Sequence, residues 1–269
     1  MPGTYKTTGL VLRRRPFRET DRWFVVLTPD RGKLELLGRG ASKIKSKLAA
    51  HLEPFSYVQL LVASGKQTDT VVSAVLIKRF QTLSQNIVKK TWADYIAEIV
   101  DCLLPVPHAD PIMFRMVGAT WKNLDSIRLS SANDYVKGLL IITGFALKIF
   151  SRVGYQPELF YCGICRRRVL QNGNAYNFSH GGLICPACQG GTKNSRNVMP
   201  VTGSTIRILR YALKQPYGNI RRLKVPREQM REVRKFIDQY VTFHLEKEPK
   251  SVKFLRYFEK KSHLPSAQP

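Results

Sequence analysis

The 269-residue chain carries 44 Lys and Arg residues against 19 Asp and Glu residues, which gives a formal net charge of +25. This excess is far larger than solubility requires and indicates a polyanionic partner, with nucleic acid the first choice and acidic lipid the weaker one. Its most apolar run, 139–147, is too short to span a bilayer, so we expect a cytoplasmic protein without a membrane partner.

The first 80 residues have the pattern of short strands separated by turns. Apolar or β-branched segments lie at 8–12, 23–27, 34–37, 55–62 and 70–77. Pro29 and Gly32 mark one of the turns between them. Five short strands predict a small barrel, and the oligonucleotide-binding (OB) barrel is the five-stranded form that also matches the charge. We therefore predict an OB-fold DNA-binding domain over residues 1–80.

Seven cations of this region lie where such barrels bind nucleic acid. They are Arg13, Arg14 and Arg15 at the end of the first strand, and Arg39, Lys43, Lys45 and Lys47 after the third. The three lysines alternate with other residues, so an extended segment would place them on one side. A solvated loop is the alternative, but the net charge favours contact with phosphates. The aromatic residues Phe17, Trp23 and Tyr57 either stack on bases or pack in the core.

From residue 81 onward, apolar residues recur at helical spacing. The pattern predicts helices from Ile87 to the prolines after residue 104, from Pro111 behind the capping residue Asp110, and from about Ser131 to Gly154. Helical spacing returns after residue 202. We therefore predict a helical domain over 81–269.

Two features of the helical region have structural and functional interpretations. Cys102, near the apolar side of the first helix, is interpreted as a buried small hydrophobic residue. Four cations have the spacing of one helical stripe, Arg227, Arg231, Arg234 and Lys235. This stripe is either a solvated helix face or a second basic surface.

Four cysteines form two C-x2-C pairs, Cys162 with Cys165 and Cys185 with Cys188. Each pair makes a tight turn that directs two thiolates toward one point, and two such turns suit tetrahedral Zn²⁺. Four thiolates with no open position favour one structural zinc ion over a catalytic one. Two disulfides are the alternative, which the short spacing disfavours. We predict a zinc-binding subdomain over 158–195 that interrupts the helical domain, and hence an α+β fold with several domains.

The sequence has no convincing catalytic motif. We find no phosphate-binding G-x-x-x-x-G-K-[ST], no H-E-x-x-H and no G-x-S-x-G. The neighbouring carboxylates Glu19 and Asp21 lack a further acidic cluster and are interpreted as capping groups or as ion-pair partners of Arg18 and Arg22. We therefore expect a protein that is not an enzyme. A ligase or nuclease with accessory OB and zinc modules, or an RNA-binding module, is kept as an alternative.

Several local motifs occur in a consistent order along the chain. They are GLVL at 9–12, RETDR at 18–22, LTPDRGK at 27–33, GAS at 40–42, HLEPF at 51–55, GYQPEL at 154–159 and GGLIC at 181–185. With the order of barrel, helices and cysteine pairs, they resemble the RecO family of bacterial DNA repair proteins. The resemblance covers nearly the whole chain in layout. It departs at Arg166, where a glycine often follows the first cysteine pair, and residues after 188 match only in character.

The resemblance implies a recombination mediator that binds single- and double-stranded DNA and anneals complementary strands. It implies that the protein acts with RecR, and sometimes RecF, to load RecA on DNA coated by single-stranded-DNA-binding protein (SSB). The acidic C-terminal tail of SSB is a further implied partner. The implied location is the bacterial cytoplasm, in association with the nucleoid.

Overall fold

The computed structural model describes residues 3–43, 46–104, 108–169, 173–190 and 197–260. The chain divides into two compact units, Met1–Ser126 and Ile127–Pro269. Within the described residues, no helix combines the length and the apolar character that crossing a membrane requires.

The first unit begins with a closed five-stranded β-barrel. Its elements are β1 (Thr4–Phe17), β2 (Asp21–Thr28), β3 (Gly32–Gly38), the short helix α1 (Lys47–His51), β4 (Ser56–Ala63) and β5 (Asp69–Arg79). The strand order is β1-β2-β3-β5-β4, and antiparallel pairing of β1 with β4 completes the ring. These five strands, followed by a helical region and a cluster of four cysteines, confirm the predicted fold class.

Strand pairing is uneven around the barrel. β1 pairs with β4 from Thr4 to Leu10, whereas the parallel pairing of β3 with β5 is limited to Leu36 with Asp69 and Leu37 with Thr70. The interior is filled by alternate apolar residues that are at most 2 % exposed, among them Val11, Phe24, Val26, Leu36, Val58, Leu60 and Val62. This alternation is what the period of a strand dictates for a one-sided core.

β1 is longer than its apolar run predicts. The sequence places Arg13, Arg14 and Arg15 at the end of the strand, but the ladder with β2 continues to the pair of Phe17 and Asp21. The prediction of the strand end is therefore wrong. Residues on the outer face of a barrel can be charged, so hydrophobicity alone underestimates the length of such a strand.

Where the structure describes the first unit, its barrel is followed by the helices α2 (Gln81–Gln85), α3 (Ile87–Leu103) and α4 (Pro111–Asp125). The predicted start of α4 is confirmed, because the Asp110 carboxylate accepts hydrogen bonds from the N–H groups of Ile112 and Met113. The fully buried Trp121 of α4 makes edge contacts with Phe55 and Phe80, with ring centroids 5.4 and 5.8 Å apart. These contacts explain why α4 belongs to the same compact unit as the barrel; the predicted domain boundary at residue 80 stays a prediction.

The predicted burial of Cys102 is wrong, because this thiol is exposed. The apolar face of α3 includes Trp92, Ile96 and Ile99, which are fully buried. Cys102 instead continues the outward stripe of Lys90, Asp94 and Glu98 at intervals of four residues. On a helix the boundary between an apolar face and an outward face falls between neighbouring positions. The spacing of apolar residues in the sequence does not show on which side of this boundary Cys102 lies.

The second unit combines helices with a small sheet. Its elements are α5 (Ala132–Arg152), β6 (Asn174–Asn177), β7 (Gly182–Ile184), β8 (Val198–Val201), α6 (Gly203–Lys214), α7 (Tyr217–Ile220), α8 (Arg227–Leu245) and α9 (Lys250–Lys260). The strands form an antiparallel sheet in the order β7-β6-β8. α5 is buried along the apolar run 139–147, which confirms that this segment is a core helix.

The predicted basic stripe on α8 is interrupted, because Arg234 is only 1 % exposed. Its guanidinium forms ion pairs with Asp238 of α8 and, at 3.5 Å, with Glu259 of α9. Asp238 also lies 3.3 Å from Arg256. Since a buried cation requires paired carboxylates, Arg234 joins α8 to α9 and is not part of a solvated or DNA-binding face.

We expect Asp238→Ala to lower the free energy of unfolding of the second unit by about 3 kcal/mol, because it leaves the buried Arg234 charge poorly compensated. Urea unfolding followed by circular dichroism measures the change. The matched control is Glu248→Ala, which removes the carboxylate 2.7 Å from the exposed Arg256 and should cost less than about 1 kcal/mol. If the two substitutions lowered the free energy of unfolding equally, the buried ion pairs of Arg234 would contribute no more to stability than the exposed ion pair of Arg256.

Candidate nucleic-acid surface and metal centre

Two loops lie side by side at one end of the barrel. The turn between β1 and β2 is bonded to the segment after β3, since the Ser42 N–H donates to the Thr20 carbonyl at 2.8 Å. The Gly40 N–H also donates to the Asp21 carboxylate at 2.8 Å. These bonds bring together three exposed cations and two partly exposed aromatic residues. We define them as the loop surface: Phe17, Arg18, Trp23, Arg39 and Lys43.

The aromatic pair of the loop surface is ordered by its own contacts. The rings of Phe17 and Trp23 meet edge to face at a centroid distance of 5.4 Å. The Arg18 guanidinium lies 5.3 Å from the centre of the Phe17 ring, and Arg18 has a positive φ of 50°. Cations beside partly exposed rings can hold a phosphate backbone and offer faces for base stacking.

A groove of about 790 Å³ opens on the same unit and shares Trp23 with the loop surface. Its lining is mixed in charge, with Arg31 and Lys66 against the carboxylates of Asp30, Glu35 and Asp69. Asp69 accepts a hydrogen bond of 2.6 Å from the Tyr5 hydroxyl, over whose ring Arg31 lies at 3.9 Å. The groove therefore lacks the surplus of cations that a phosphate backbone needs, whereas the loop surface has it.

The four cysteines of the two pairs converge in the second unit. Their sulfur atoms all lie within 4.8 Å of one another, and the Sγ atoms of Cys165 and Cys185 are 3.8 Å apart. A tetrahedral thiolate site with metal–sulfur bonds of about 2.3 Å has sulfur–sulfur distances of about 3.8 Å, whereas a disulfide requires about 2.05 Å. The cluster of Cys162, Cys165, Cys185 and Cys188, called the cysteine cluster below, could therefore hold one metal ion.

Backbone hydrogen bonds position the two turns of the cysteine cluster. The Gly163 N–H donates to the Leu183 carbonyl of β7 at 2.8 Å, and the Leu183 N–H donates to the Glu158 carbonyl at 3.0 Å. The first turn is thereby fixed against β7, the strand that leads directly into Cys185. The second pair closes through a 3₁₀ turn, in which the Cys188 N–H donates to the Cys185 carbonyl at 3.0 Å.

The cysteine cluster favours a thiolate at one position. Burial raises the pKa of the Cys162 thiol, but backbone N–H donors, including that of Cys185 at 3.4 Å, outweigh it and lower this pKa to about 6. Hydrogen bonds with Cys185 and Cys165 instead raise the pKa of the Cys188 thiol to about 12. A set of shared thiols and thiolates binds a divalent cation by releasing its remaining protons.

Comparison with known proteins decides the family. The model described as "Recombination protein O N terminal" matches residues 1–80, and "Recombination protein O C terminal" matches residues 84–253. The chain belongs to the RecO family. Among relatives named "DNA repair protein RecO", that of Dehalococcoides mccartyi (strain CBDB1) is 32 % identical, with 94 % of this chain and 96 % of the relative covered. That of Pelotomaculum thermopropionicum is 29 % identical, with 94 % of each covered.

Among the predicted DNA-binding cations of this RecO-family chain, those that the structure describes do not form one group. The three arginines of β1 each have an acidic partner: Asp101 at 2.6 Å for Arg13, Glu53 for Arg14, and Glu35 at 3.4 Å for Arg15. Arg14 and Arg15 are exposed, and exposed ion pairs of this kind are weak enough to exchange for phosphate. Arg13 is less exposed and connects β1 to α3. Their role in DNA binding stays a prediction.

The cations predicted after β3 differ in their placement where the structure describes them. Arg39 and Lys43 are exposed on the loop surface, and Lys45 lies outside the described residues. Lys47 is the first residue of α1, so the extended segment that would have placed the lysines on one side does not continue to it. Tyr57 lies on β4 and contacts Phe114 of α4 at 5.8 Å, away from the loop surface.

Arg18 is the residue of the loop surface that sequence reasoning missed. The sequence contained an indication of this role, because the RecO-like motif at 18–22 begins with Arg18 in the turn between β1 and β2. This loop of an OB barrel is one that binds oligonucleotides. From sequence, Arg18 is interpreted as an ion-pair partner of the neighbouring carboxylates, whereas the structure places its guanidinium beside the Phe17 ring.

Arg166, the predicted departure from the RecO family pattern, occupies a backbone conformation that favours glycine. Its φ is 59°, and its N–H donates to the Cys162 carbonyl at 3.0 Å to close the first turn. A side chain in the left-handed region costs about 1 kcal/mol relative to glycine. The arginine alters no sulfur ligand, in agreement with the sequence analysis.

We expect Arg166→Gly to retain the cysteine cluster and to stabilise it by about 0.5–1 kcal/mol, because glycine adopts this φ without strain. Resistance of bound metal to a chelator, measured as a release rate, reports the change. Arg167→Gly is the matched control, since Arg167 has no positive φ and glycine there only adds flexibility. If metal were released faster from Arg166→Gly than from the unchanged protein, the positive φ of Arg166 would not be a source of strain.

Proposed function

We propose that this chain is a non-enzymatic DNA repair mediator that binds single- and double-stranded DNA and anneals complementary strands. Membership of the RecO family supports a role in DNA repair. The observation that carries the binding proposal is the loop surface, where Arg18, Arg39 and Lys43 are exposed beside two partly exposed aromatic rings. Binding through phosphates is independent of sequence, as a protein that acts on any damaged site requires.

Annealing follows from the same charge. Two complementary strands repel each other through their phosphates, and a protein with a net charge of +25 lowers this repulsion when it binds either strand. The proposal includes the exposed Arg14 and Arg15 as contacts at the edge of the loop surface, and Lys45 and Lys47 in the segment that continues from Lys43. Arg13 is assigned a lesser part because it bridges to Asp101.

We assign one structural Zn²⁺ to the cysteine cluster. Four thiolates with spacing that fits a tetrahedron are the ligand set that zinc prefers in closed structural sites. The ion would replace the protons of the cluster and hold the turns around 162–165 and 185–188 against β7. Its effect on DNA binding would be indirect, because a closed metal site stabilises the fold and does not itself contact the DNA.

The proposed partners follow from membership of the RecO family. They are RecR, the acidic C-terminal tail of SSB and, less directly, RecF and RecA, so that the chain would assist loading of RecA onto SSB-coated DNA. The proposed location is the bacterial cytoplasm, associated with the nucleoid. The positive charge supports an acidic tail and nucleic acid as partners.

The test of this function is strand annealing with complementary fluorescent oligonucleotides, with and without SSB. We expect purified protein to accelerate annealing and to retain this effect on SSB-coated strands. A steep decrease of affinity with salt is expected for both single- and double-stranded DNA. Failure to bind or anneal DNA at low salt would refute the proposal.

Parallel assays distinguish the alternative functions. Nicked and single-stranded DNA are incubated with the same protein and divalent cations, and we expect neither ligation nor cleavage. Structured RNA is added as a competitor of single-stranded DNA, and we expect DNA to bind at least as tightly. Turnover of DNA would identify an enzyme, and a strong preference for RNA would identify an RNA-binding module.

A further inference from the structure

The C-terminal helix α9 carries a stripe of cations and aromatic rings on its outer face. Lys250, Lys253, Phe254 and Tyr257 have i, i+3, i+4 and i+7 spacing, which places them within about 100° of arc around the helix. All four are exposed, Phe254 by 58 % and Tyr257 by 50 % of their surface. The opposite face is buried through Val252 and Leu255. The helix therefore has a fixed orientation, and its aromatic side is the outward one.

The positive charge of the stripe is available to a ligand. Among the described side chains of α9, the carboxylate of Glu259 lies on the other face, 3.5 Å from the buried Arg234. The neighbouring Arg256 is occupied by Asp238 and Glu248 at 3.3 and 2.7 Å. Lys250 and Lys253 thus stand beside the two rings on a face without acidic residues among those described.

Exposed rings beside cations match the chemistry of an unpaired nucleic-acid strand. The phosphates attract lysine, and each base offers a flat face that stacks on an aromatic ring regardless of sequence. Phe254 and Tyr257 are separated by about 4.5 Å along the helix axis, so they can serve neighbouring bases. Tyr257 is further held by an edge contact with Phe258 at 5.4 Å.

A double-stranded ligand or a peptide fits less well. In a duplex the base faces are stacked on each other, so the exposed rings would gain no partner. An apolar peptide segment normally enters a concave groove, whereas these rings project from the outer surface of a helix. The favoured occupant is therefore single-stranded nucleic acid.

We propose that the stripe Lys250, Lys253, Phe254 and Tyr257 is a second binding surface, specific for single strands, in addition to the loop surface. This inference rests on the proposed function, because it takes DNA as the ligand of the stripe. The matched "Recombination protein O C terminal" model ends at residue 253, so both rings lie beyond it. The two surfaces belong to different compact units, so one chain has two separate contacts for unpaired DNA.

The direct test is photo-crosslinking of the full-length protein to an oligothymidine that carries 5-iododeoxyuridine. We expect a crosslinked peptide that contains Phe254 or Tyr257, identified by mass spectrometry. Unlabelled single-stranded DNA should suppress this crosslink, and duplex DNA at the same nucleotide concentration should suppress it far less. A bound oligonucleotide that crosslinks only elsewhere would overturn the proposal.

Substitutions give the quantitative test. Phe254→Leu with Tyr257→Leu keeps an apolar, helix-compatible face but removes the flat rings, and should weaken oligothymidine binding by about 10-fold. The matched control exchanges the rings, Phe254→Tyr with Tyr257→Phe, and should leave the affinity unchanged. Duplex affinity should be the same for all three proteins. Circular dichroism confirms that each variant retains its helices.

The outcomes separate this inference from the proposed function. If the unchanged protein binds no DNA, the proposed function fails. If it binds DNA and the double-leucine variant binds oligothymidine equally well, only the inference fails. Equal binding together with loss of a self-associated species in sedimentation would assign the stripe to a second copy of the chain. Loss of acidic-peptide binding in the double-leucine variant, with no DNA crosslink to Phe254 or Tyr257 in the unchanged protein, would assign the stripe to a peptide.

Discussion

Reversal of three charges on the loop surface, by Arg18→Glu, Arg39→Glu and Lys43→Glu together, should weaken single-stranded DNA binding by about 100-fold at moderate salt. Each of these exposed cations can neutralise one phosphate, and each lost phosphate contact removes about 0.7 from the slope of log K against log salt. The slope should therefore become shallower by about two. Fluorescence anisotropy across a salt series measures affinity and slope together.

Net charge alone also affects binding, and a matched variant separates this effect from position. Arg115→Glu, Lys122→Glu and Arg128→Glu reverse three exposed cations outside the barrel and produce the same change in net charge. We expect this control to lose less than about 5-fold in affinity and to keep most of the salt slope. An equal loss in both variants would mean that DNA is held by diffuse charge and that the loop surface has no specific role.

Removal of one sulfur ligand, by Cys162→Ser, should abolish stoichiometric metal binding. The serine hydroxyl is a poor ligand at neutral pH, whereas Cys162 has the thiol whose pKa is lowered to about 6. Elemental analysis should find about one zinc ion per chain in the unchanged protein and almost none in the variant. The free energy of structural zinc sites is large, about 10–16 kcal/mol in small zinc-finger peptides, so the region around residues 158–190 should become sensitive to protease.

Cys102→Ser provides the control for Cys162→Ser, because Cys102 is exposed on α3 and lies outside the cysteine cluster. It should change neither metal content nor protease resistance. DNA affinity should fall only slightly in Cys162→Ser, since neither the loop surface nor α9 contains a cluster residue. Full metal content in Cys162→Ser would rule out the four-sulfur site, and another metal in place of zinc would correct the assignment of the ion.

The features that could be predicted from sequence depend on neighbours along the chain. Asp110 before Pro111 determines where α4 begins, and both cysteine pairs lie in tight turns whose geometry follows from spacing. The five strands follow from short β-prone runs between turns. In each case the physical cause acts over a few residues, so the sequence pattern contains it.

The features that could not be predicted depend on contacts between distant segments. Arg234 has the spacing of a surface stripe, but the carboxylate of Glu259 on the following helix stabilises it in the interior. Arg13 adjoins two further arginines in the sequence, but Asp101 of α3 lies 2.6 Å from its guanidinium. The loop surface depends on the hydrogen bond from Ser42 to Thr20, which no periodicity records.

The barrel has a weak seam where β3 meets β5 over two residue pairs. Elements held by few backbone hydrogen bonds open locally at a fraction of the free energy of global unfolding. Amide hydrogens that bond across the β3–β5 pairing should therefore exchange with solvent sooner than those of the long β1–β2 ladder, whereas β5 stays paired with β4. The mixed-charge groove is lined by Glu35 and by residues 65–69, which lie at this same seam. Local opening of the seam would therefore widen the barrel beside Trp23, while the other strand pairs of the barrel stay intact.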